Sequence, residues 1–506
     1  MTSSANRTGC NLLLITSDQH NPFICGYADS PVQTPALDQM AAGGATFAAA
    51  YTNDPVCMPA RATLATGRYG SATGNYDNGT PYAGDEADSW GHRLTEQGKA
   101  AVTFGKLHFA PEGDSGYQTH LPLQASRGYG AAVMGWARGD APFNDMMVRH
   151  ALDARAGRAE YADYDRHTTR SACRWLTSEA PMDAPWAAHV SYAYPHYPFR
   201  TPVECAPPDH VDIPLPPAWE QGDWPENAEL AARRRIMGID QRPLSADELR
   251  ALHSVYFGMV NFVDRQIADL LAALEASGAA DRTVVIYTTD HGDMLGSHGL
   301  LMKSVMYDAS ARVPFVMTGP GVDAGTVCST PVSLADIFPT VLAVTGTQPE
   351  AADAELPGSS LLELAGSAPD ERAVFSEYHG PTSTAASYMI RKGRHKLVTH
   401  MHPDAASQLF DMDADPFEVA DLIDDPTMYA VVADLDAELR SIVDPEALDT
   451  EIRASQAAEL ERAGGADGLR PPPVLPRTAY GTIALGWSIP PSEIMAEVAH
   501  ADSDNA

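Results

Sequence analysis

The sequence has few basic residues for its length. Its 506 residues include 34 lysines and arginines against 67 aspartates and glutamates, a formal net charge of −33. This imbalance argues against nucleic acid or an anionic membrane surface as a partner. A solubility trait or a saline habitat would explain the charge without a functional role. An anionic substrate would be repelled at long range, so a site for one needs local positive charge from a metal ion or from basic side chains.

Paired cysteine spacing, a signal peptide and long apolar runs are also missing. The six cysteines are scattered, and no disulfide framework or zinc pattern is visible. The first ten residues lack the apolar region of a secretory signal. No run reaches the roughly 20 apolar residues of a membrane-spanning helix. We therefore expect a cytoplasmic protein without a membrane partner.

Apolar patterning predicts an α/β fold. Five short apolar or β-branched runs are typical of strands in a buried sheet: 11–17, 100–104, 186–192, 283–287 and 313–317. The clearest helix spans 245–277, where Ser245 and Glu248 form a capping box and apolar residues keep a helical period. Together they predict a large, mixed, mostly parallel sheet flanked by helices.

Three further segments carry predictions of their own. Thr34 and Pro35 predict a helix start, with Thr34 as its cap. Residues 332–344 predict a helix, and the proline- and acid-rich residues 200–245 predict a long surface excursion.

The sequence pattern changes near residue 370. Residues 388–391 and 396–399 predict a hairpin, and 408–411 predict a third antiparallel strand. This organisation predicts three parts, listed in chain order: a catalytic α/β domain over 1–370, a small C-terminal α+β domain over 371–463 built on an antiparallel sheet, and a proline-rich linker and tail over 464–506. The tail is the expected contact of a homo-oligomer.

Polar residues follow two of the predicted strands. Asp18 and Gln19 come after the first strand, and Asp290 and His291 after the strand at 283–287. The carboxyl ends of strands in such a sheet form its ligand-binding edge. Two carboxylates, an amide oxygen and an imidazole suit Ca²⁺, with Mn²⁺ as the alternative. Each aspartate alone could instead cap a following helix.

Basic residues recur at the same predicted edge. Lys106 and His108 alternate, so on an extended strand both would point to one face. His196 lies between prolines, and Lys303 follows Asp290 along the chain. Singly, such residues are usually structural or solvated. Together they would supply the local positive charge and the acid–base groups that an anionic ester requires.

The chain is organised around residues 57–68. Cys57, Pro59 and Arg61 alternate at the start of a small-residue helical run. Cys57 would lie at a helix N-terminus, where the backbone dipole favours negative charge. A nucleophile beside an anion site suits an enzyme acting on charged esters, although a buried structural cysteine would also fit the motif.

The stretch Cys57-Met58-Pro59-Ala60-Arg61, with Thr66-Gly67-Arg68 after it, resembles the signature of type I sulfatases in the alkaline phosphatase superfamily. Supporting matches cover much of the chain: 11–19, 34–51, 105–108, 195–198, 289–292, Lys303 and 408–412. The resemblance implies an alkaline-phosphatase-like fold and an arylsulfatase-like sulfuric ester hydrolase. It also implies that a formylglycine-generating enzyme oxidises Cys57 to Cα-formylglycine.

The resemblance further assigns roles. It implies one divalent metal, Ca²⁺ or alternatively Mn²⁺, bound by Asp18, Gln19, residue 57, Asp290 and His291. A hydroxyl of the hydrated aldehyde at residue 57 would attack sulfur.

The remaining implied roles belong to side chains around that nucleophile. Arg61 would activate it, and Lys106 and Lys303 would neutralise the sulfuryl oxygens. His196, with Lys303, would protonate the leaving oxygen, and His108 would take a proton from the second hydroxyl. Asn78 is an expected contact of the substrate oxygens.

Two readings remain beside the sulfate monoesterase. The pairs Asp18-Gln19 and Asp290-His291, and the stretch 75–78, look more like choline sulfatases and phosphonate monoester hydrolases. Lys106 and His108 are instead of the sulfatase type, so we favour aryl or small alkyl sulfates, with cross-activity expected, over a phosphonate monoester hydrolase or phosphodiesterase. An acidic residue for a choline pocket is not evident near 377–381. A non-catalytic anion-binding protein with an unmodified thiol is the other alternative.

Overall fold

The computed structural model of the chain describes residues 9–125, 145–207, 212–220, 224–368, 370–380 and 383–462. The predicted linker and tail at 464–506 lie outside the described residues. No helix in the described part of the chain is long and apolar enough to cross a bilayer.

The strands are, in chain order, β1 Asn11–Ser17, β2 Ala45–Phe47, β3 Ala50–Tyr51, β4 Ala100–Lys106, β5 Gln118–Leu123, β6 Arg155–Ala156, β7 Trp186–Ser191, β8 Arg200–Thr201, β9 Thr283–Thr289, β10 Val316–Thr318, β11 Thr326–Cys328, β12 Val332–Ser333, β13 Ala373–Tyr378, β14 Ser387–Lys392, β15 His395–His400 and β16 Gln408–Asp411.

The α-helices are, in chain order, α1 Pro35–Ala42, α2 Cys57–Thr66, α3 Gly70–Thr73, α4 Trp90–Glu96, α5 Met146–Leu152, α6 Glu160–Ser178, α7 Ala228–Ile236, α8 Ala246–Ala276, α9 Asp308–Ala311, α10 Ile337–Thr345, α11 Leu361–Ala365, α12 Tyr429–Ile442 and α13 Pro445–Arg462.

The large sheet has eight strands in the order β11-β2-β10-β9-β1-β7-β4-β5. Its centre is parallel, because β1 pairs in parallel with both β7 and β9, and β7 pairs in parallel with β4. Strand β10 is antiparallel to β9 and β2. The predicted fold class, a mixed and mostly parallel sheet flanked by helices, is therefore confirmed.

Both faces of this sheet are buried, as expected for a largely parallel sheet. On β1, Leu13 and Ile15 pack with α8, while Leu12 and Leu14 pack with α10 on the opposite face. This alternation follows from the two-residue period of a strand. The capping box of Ser245 and Glu248 at the start of α8 is confirmed.

The second sheet is antiparallel, with the order β13-β14-β15-β16. The predicted hairpin and third strand are confirmed as β14, β15 and β16, and β13 is an additional strand. Asn53 ties this sheet to the loop that precedes Cys57: its side chain donates to the carbonyl of Phe375 at 2.8 Å, and its carbonyl accepts from the amide of Glu377 at 2.9 Å.

Three segment predictions were wrong in part. Residues 332–344 begin as strand β12 and a short 3₁₀ turn, so α10 starts only at Ile337. Within 200–245, α7 is not a surface excursion, because Leu230 and Arg233 are buried. Helix α1 starts as predicted, but Asp264 of α8 caps it by accepting from the amides of Ala36 and Leu37. The hydroxyl of Thr34 turns instead to Asp38.

Candidate active site

The carboxyl ends of the central strands meet at one edge of the large sheet. The register places Ser17 beside Thr289 and Thr16 beside Ser191, so Asp18 and Asp290 leave neighbouring strands side by side. Neither aspartate caps a described helix. The capping alternative is therefore wrong for both residues.

Cys57 begins α2 at the same edge, with 1% of its surface exposed. Its Sγ lies 3.2 Å from Nε2 of His291, 3.5 Å from Nζ of Lys303 and 3.9 Å from Oδ1 of Asp18. Val56, which precedes the helix, makes no side-chain cap, so the start of α2 depends on contacts from elsewhere in the chain. The side chain at position 57 thus lies between acidic groups, a cation and a helix N-terminus.

Four residues form a group that could hold a metal ion: Asp18, Cys57, Asp290 and His291. One ligand atom from each lies within 4.8 Å of the others, and all four side chains are buried. Nδ1 of His291 faces the carbonyl of Gly292 at 3.0 Å, so the Nδ1–H tautomer leaves the lone pair on Nε2 toward Cys57. Two carboxylates and one imidazole fit Ca²⁺ or Mn²⁺.

Gln19 lies beside this group in a left-handed backbone conformation, at φ 68°. Its amide oxygen accepts from Lys303 at 2.5 Å, and its amide nitrogen donates to Asp293 at 2.5 Å. The predicted amide ligand thus has its oxygen turned to the Lys303 ammonium group.

Arg61 links the two strand ends. Its Nε donates to Asp290 at 2.9 Å, and Nη2 donates to Asp18 at 3.0 Å. Its Nη1 donates to Ser191 Oγ at 2.8 Å and to the carbonyl of Lys106 at 2.6 Å. The guanidinium group therefore fixes the geometry of both carboxylates rather than facing solvent.

Three cations stand against the two carboxylates at this edge: Arg61, Lys106 and Lys303. Nζ of Lys106 lies 2.6 Å from Oδ2 of Asp18. All three cations are buried. The site has the local positive charge that the acidic chain requires for an anionic substrate.

These charges shift the acidity of their neighbours. Burial alone would raise the pKa of Asp18, but the cations Lys106, Arg61 and Lys303 outweigh it and hold that pKa well below its usual value. Burial raises the pKa of Asp290 to about 6. Burial would lower the pKa of Lys303, but the carboxylates of Asp18 and Asp290 oppose this effect and the pKa is raised above its usual value.

Both predicted histidines are held neutral. Burial, then Lys106 and Arg61, lower the pKa of His108 well below 6.5. Burial, then Lys303 and Lys106, lower the pKa of His196 well below 6.5. His196 Nε2 lies 3.9 Å from Asp18, and its ring stacks on Tyr197 with centroids 4.1 Å apart.

The shared-strand prediction for Lys106 and His108 was wrong. Strand β4 ends at Lys106, and His108 has a φ of 58°, outside the extended region. His108 approaches the cations through a turned backbone, and its buried Nδ1 has no hydrogen-bond partner among the described residues.

Asn78 contacts α2 rather than a cation. Its amide oxygen accepts from the backbone amide of Met58 at 3.1 Å. It thereby supplies the cap that Val56 lacks and holds the first turn of the helix next to Cys57.

Sequence reasoning missed two supporting residues, Asp293 and Ser191. Asp293 accepts from Gln19 and, through its other oxygen, from the amide of Met302 at 2.9 Å, next to Lys303. Ser191 accepts from Arg61 and from Thr16. Asp293 lies three positions after Asp290 in the printed sequence, and Ser191 is the second-last residue of the predicted strand 186–192, so both lay at the right edge without a motif to mark them.

Comparison with protein families gives two matches. A model described as Sulfatase matches residues 11–347, and a model described as N-sulphoglucosamine sulphohydrolase, C-terminal, matches residues 296–444.

Individual relatives agree with the family match. Choline-sulfatase of Rhizobium meliloti (strain 1021) is 28% identical over 478 residues, covering 88% of this chain and 89% of its own. Arylsulfatase K of Danio rerio is 27% identical over 459 residues, covering 86% and 84%. The solved phosphonate monoester hydrolase of Agrobacterium radiobacter shares the fold, with a TM-score of 0.66 at 24% identity over 85% of this chain and 95% of its own.

Proposed function

This chain belongs to the sulfatase family, as a hydrolase of sulfate esters, and from that premise we propose that it cleaves an aryl or small alkyl sulfate monoester with residue 57 as nucleophile. The products are the alcohol and inorganic sulfate. We further propose that Cys57 is converted to Cα-formylglycine by a formylglycine-generating enzyme. The Sγ atom of Cys57 therefore marks the position that the oxygen atoms of the hydrated aldehyde would occupy.

One observation carries this proposal. The side chain at position 57 lies between two carboxylates with an imidazole on one side and Lys303 on the other, at the start of a helix. Burying charged groups costs free energy. Three buried cations and two buried carboxylates around residue 57 are therefore not expected if Cys57 has only a structural role.

The donor chemistry supports one divalent metal, Ca²⁺ or alternatively Mn²⁺, held by Asp18, Asp290, His291 and residue 57, with Gln19 as a further oxygen ligand once it turns from Lys303. When bound, the metal would polarise the nucleophile and the sulfuryl oxygens. The same ion would balance the acidic pair, which Arg61 and Lys106 already neutralise in part.

In the first half of the reaction, one hydroxyl of the hydrated side chain attacks sulfur. Its proton passes to Asp290, and Arg61 keeps that carboxylate in place. A sulfur–oxygen bond to residue 57 forms as the bond from sulfur to the alcohol oxygen breaks. Lys106 and Lys303 neutralise the sulfuryl oxygens, and the proton for the departing alcohol comes from the Lys303 ammonium group, with neutral His196 as its relay.

In the second half, the sulfate ester at residue 57 breaks down without attack by water on sulfur. His108 takes the proton of the second hydroxyl, the carbonyl bond forms, and the carbon–oxygen bond to sulfate breaks. A low pKa supports this role, since His108 is then ready to accept a proton at neutral pH. Water rehydrates the aldehyde, so one water is consumed per turnover.

A phosphonate monoester hydrolase or phosphodiesterase is the second candidate. Two observations support it. The dipeptides Asp18-Gln19 and Asp290-His291 resemble those of phosphonate monoester hydrolases, and a solved phosphonate monoester hydrolase shares the fold. Both activities would use one site, so we expect cross-activity between sulfate and phosphonate esters.

Comparative kinetics test the proposal. Values of kcat/KM are measured for an aryl sulfate, a phosphonate monoester and a phosphodiester with one phenol as leaving group. We expect the sulfate to be preferred and Cys57→Ala to abolish turnover of all three, while Cys173→Ala, a matched cysteine on α6, retains activity. A phosphonate preference of several decades would select the second candidate. No turnover of any ester by protein with a verified aldehyde would favour a non-catalytic anion-binding protein.

A further inference from the structure

A large cavity lies outside the group of residues around Cys57. Its volume is about 810 Å³, within the range of small-molecule sites. Buried apolar side chains line it: Val148, Trp224, Ile239, Leu249, Leu300 and Leu301. The half-buried ring of Trp219 completes the apolar lining. We refer to this space as the distal cavity.

Helix α8 connects the distal cavity to the active site. Tyr256 donates its hydroxyl to the carbonyl of Gln19 at 2.5 Å, whereas Leu249 on the same helix lines the cavity. At 1.5 Å per residue, the two positions are separated by about 10 Å along the helix axis. The cavity is therefore within reach of a substrate whose sulfate lies near Gln19.

Two other elements make the same connection. The loop 293–303 closes on itself through the amide of Met294 and the carbonyl of Met302, so Lys303 is at the site while Leu301 lines the cavity. In α5, Val148 lines the cavity, and the His150 ring lies 5.0 Å from Tyr197. Each of three elements, α8, the loop 293–303 and α5, therefore has one residue that lines the distal cavity and another beside the active site.

The charges at the distal cavity are at its rim and are paired. Arg234 lies 2.6 Å from Glu226 and 3.6 Å from Asp240, and Arg242 pairs with Glu248. The exposed carboxylate of Glu220 adds a further negative charge. No cation that lines the cavity is left without a carboxylate partner in the described chain. The negative charge at this rim disfavours binding of a polyanionic ligand. Burial of an uncharged hydrocarbon group against the apolar lining is favourable.

We propose that the distal cavity binds the apolar end of the alcohol portion of the substrate, an uncharged aromatic group more than one ring long. The inference rests on the proposed sulfatase function, because it takes the sulfate to lie at Cys57. It adds a substrate class. We expect extended aryl sulfates to be preferred over single-ring aryl sulfates, over sulfate esters of cationic alcohols and over sulfated sugars. Trp219 would stack on the distal ring.

The first test compares phenyl sulfate with 4-phenylphenyl sulfate, whose phenols are of similar acidity. We expect at least a tenfold higher kcat/KM for the longer ester, appearing mainly in KM. In Trp219→Ala, at least a tenfold loss is expected for the longer ester and a clearly smaller loss for phenyl sulfate. Trp219→Phe should restore most of the preference. Tyr429→Ala, which removes an aromatic ring 59% exposed at the start of α12, should change neither value.

Three results would overturn the proposal. They are equal kcat/KM for the two aryl esters, equal losses for both in a folded Trp219→Ala protein, and a higher kcat/KM for choline sulfate or a sulfated disaccharide than for the longer ester.

A binding measurement separates this proposal from the proposed function. Calorimetry with the product 4-phenylphenol should give binding to the unmodified Cys57 protein that is lost in Trp219→Ala. Binding without turnover of any sulfate ester would refute the proposed function and keep the cavity assignment. Turnover of aryl sulfates without binding of 4-phenylphenol would refute the cavity assignment alone.

Discussion

Arg61 shows how much of this site depends on single buried residues. It bonds Asp18, Asp290, Ser191 and the carbonyl of Lys106, so four neighbours fix one guanidinium group. The planar fork of arginine makes this possible, and a lysine could not satisfy all four acceptors. The proposed nucleophile at residue 57 therefore depends on positioning residues as well as on the groups that would touch substrate.

Replacing Ser191 by alanine should weaken the site without unfolding the protein. It leaves a buried arginine N–H without its acceptor, which costs about 1–3 kcal/mol. We expect kcat/KM for an aryl sulfate to fall about tenfold, the equivalent of about 1.4 kcal/mol.

The matched control is Ser360→Ala, because the buried hydroxyl of Ser360 has no hydrogen-bond partner among the described residues. It should leave kcat/KM unchanged. Equal losses in both variants would refute the positioning role of Ser191.

The acid limb of the pH profile should report His108. Its pKa is lowered from 6.5 by burial and by the cations Lys106 and Arg61. The neutral, proton-accepting form therefore persists as pH falls below 6.5, and activity is lost only at still lower pH. Because His108 acts in the second half of the reaction, we expect the acid limb of kcat to lie below pH 6.5, and we expect His108→Gln to remove that limb and most of kcat. An acid limb at or above pH 6.5, or one retained in His108→Gln, would contradict this assignment.

At the residue level, the sequence predicts which side chains meet but not what holds them. Asp18, Asp290, His291, Lys106 and Lys303 follow from strand ends and from the resemblance. The partners Ser191 and Asp293 do not, because a hydrogen bond between distant positions leaves no local pattern. The roles of the named residues stay predictions until variants are measured.

The decisive element is α2, whose first turn presents residue 57. The helix lacks a side-chain cap of its own, and Asn78, beyond its C-terminal end, accepts from the amide of Met58 instead. This contact both stabilises the start of the helix and holds residue 57, the proposed nucleophile, in place.

Asn78→Ala should therefore reduce both stability and activity. Loss of a capping contact costs about 1 kcal/mol of unfolding free energy, and a displaced first turn should lower kcat/KM at least fivefold. Urea denaturation and steady-state kinetics measure the two effects.

The matched control is Ser89→Ala, which removes the side-chain cap of α4. It should lose similar stability and keep kcat/KM. Unchanged kinetics in Asn78→Ala would show that the helix start does not position residue 57.

Elements were predicted well where local pattern and packing agree. Strands β1 and β9 are continuous apolar runs, and α8 has both a capping box and a helical period. Prediction failed where tertiary contacts decide. Helix α7 looked polar along the chain, but its Glu229 bonds Thr384 of the C-terminal part, so the helix is buried.

On the scale of the whole molecule, a chain of net charge −33 has three buried cations, Arg61, Lys106 and Lys303, at its proposed active site. The long-range field repels an anionic ester, whereas the buried cations attract it only at short range. The predicted domain boundaries at 370 and 463, the cytoplasmic location and the oligomeric contact stay predictions.

Salt should therefore speed the capture of substrate. Raising ionic strength from about 0.01 M to 0.15 M shortens the Debye length from about 30 Å to about 8 Å. We expect kcat/KM for an aryl sulfate monoanion to rise severalfold over this range, with kcat little changed. Binding of the uncharged product phenol serves as the control and should not respond. A fall in kcat/KM would mean that the cations of the site dominate the field that substrate meets.

The most direct test of the proposed nucleophile is the mass of the peptide that carries residue 57, measured on protein from its native host and compared with sulfate ester turnover. Formylglycine lowers the mass by about 18 Da relative to cysteine, and turnover should rise in proportion to the modified fraction. Full turnover by protein carrying only the thiol would contradict the proposal that formylglycine at residue 57 is the nucleophile, as would complete modification without hydrolysis of any sulfate ester.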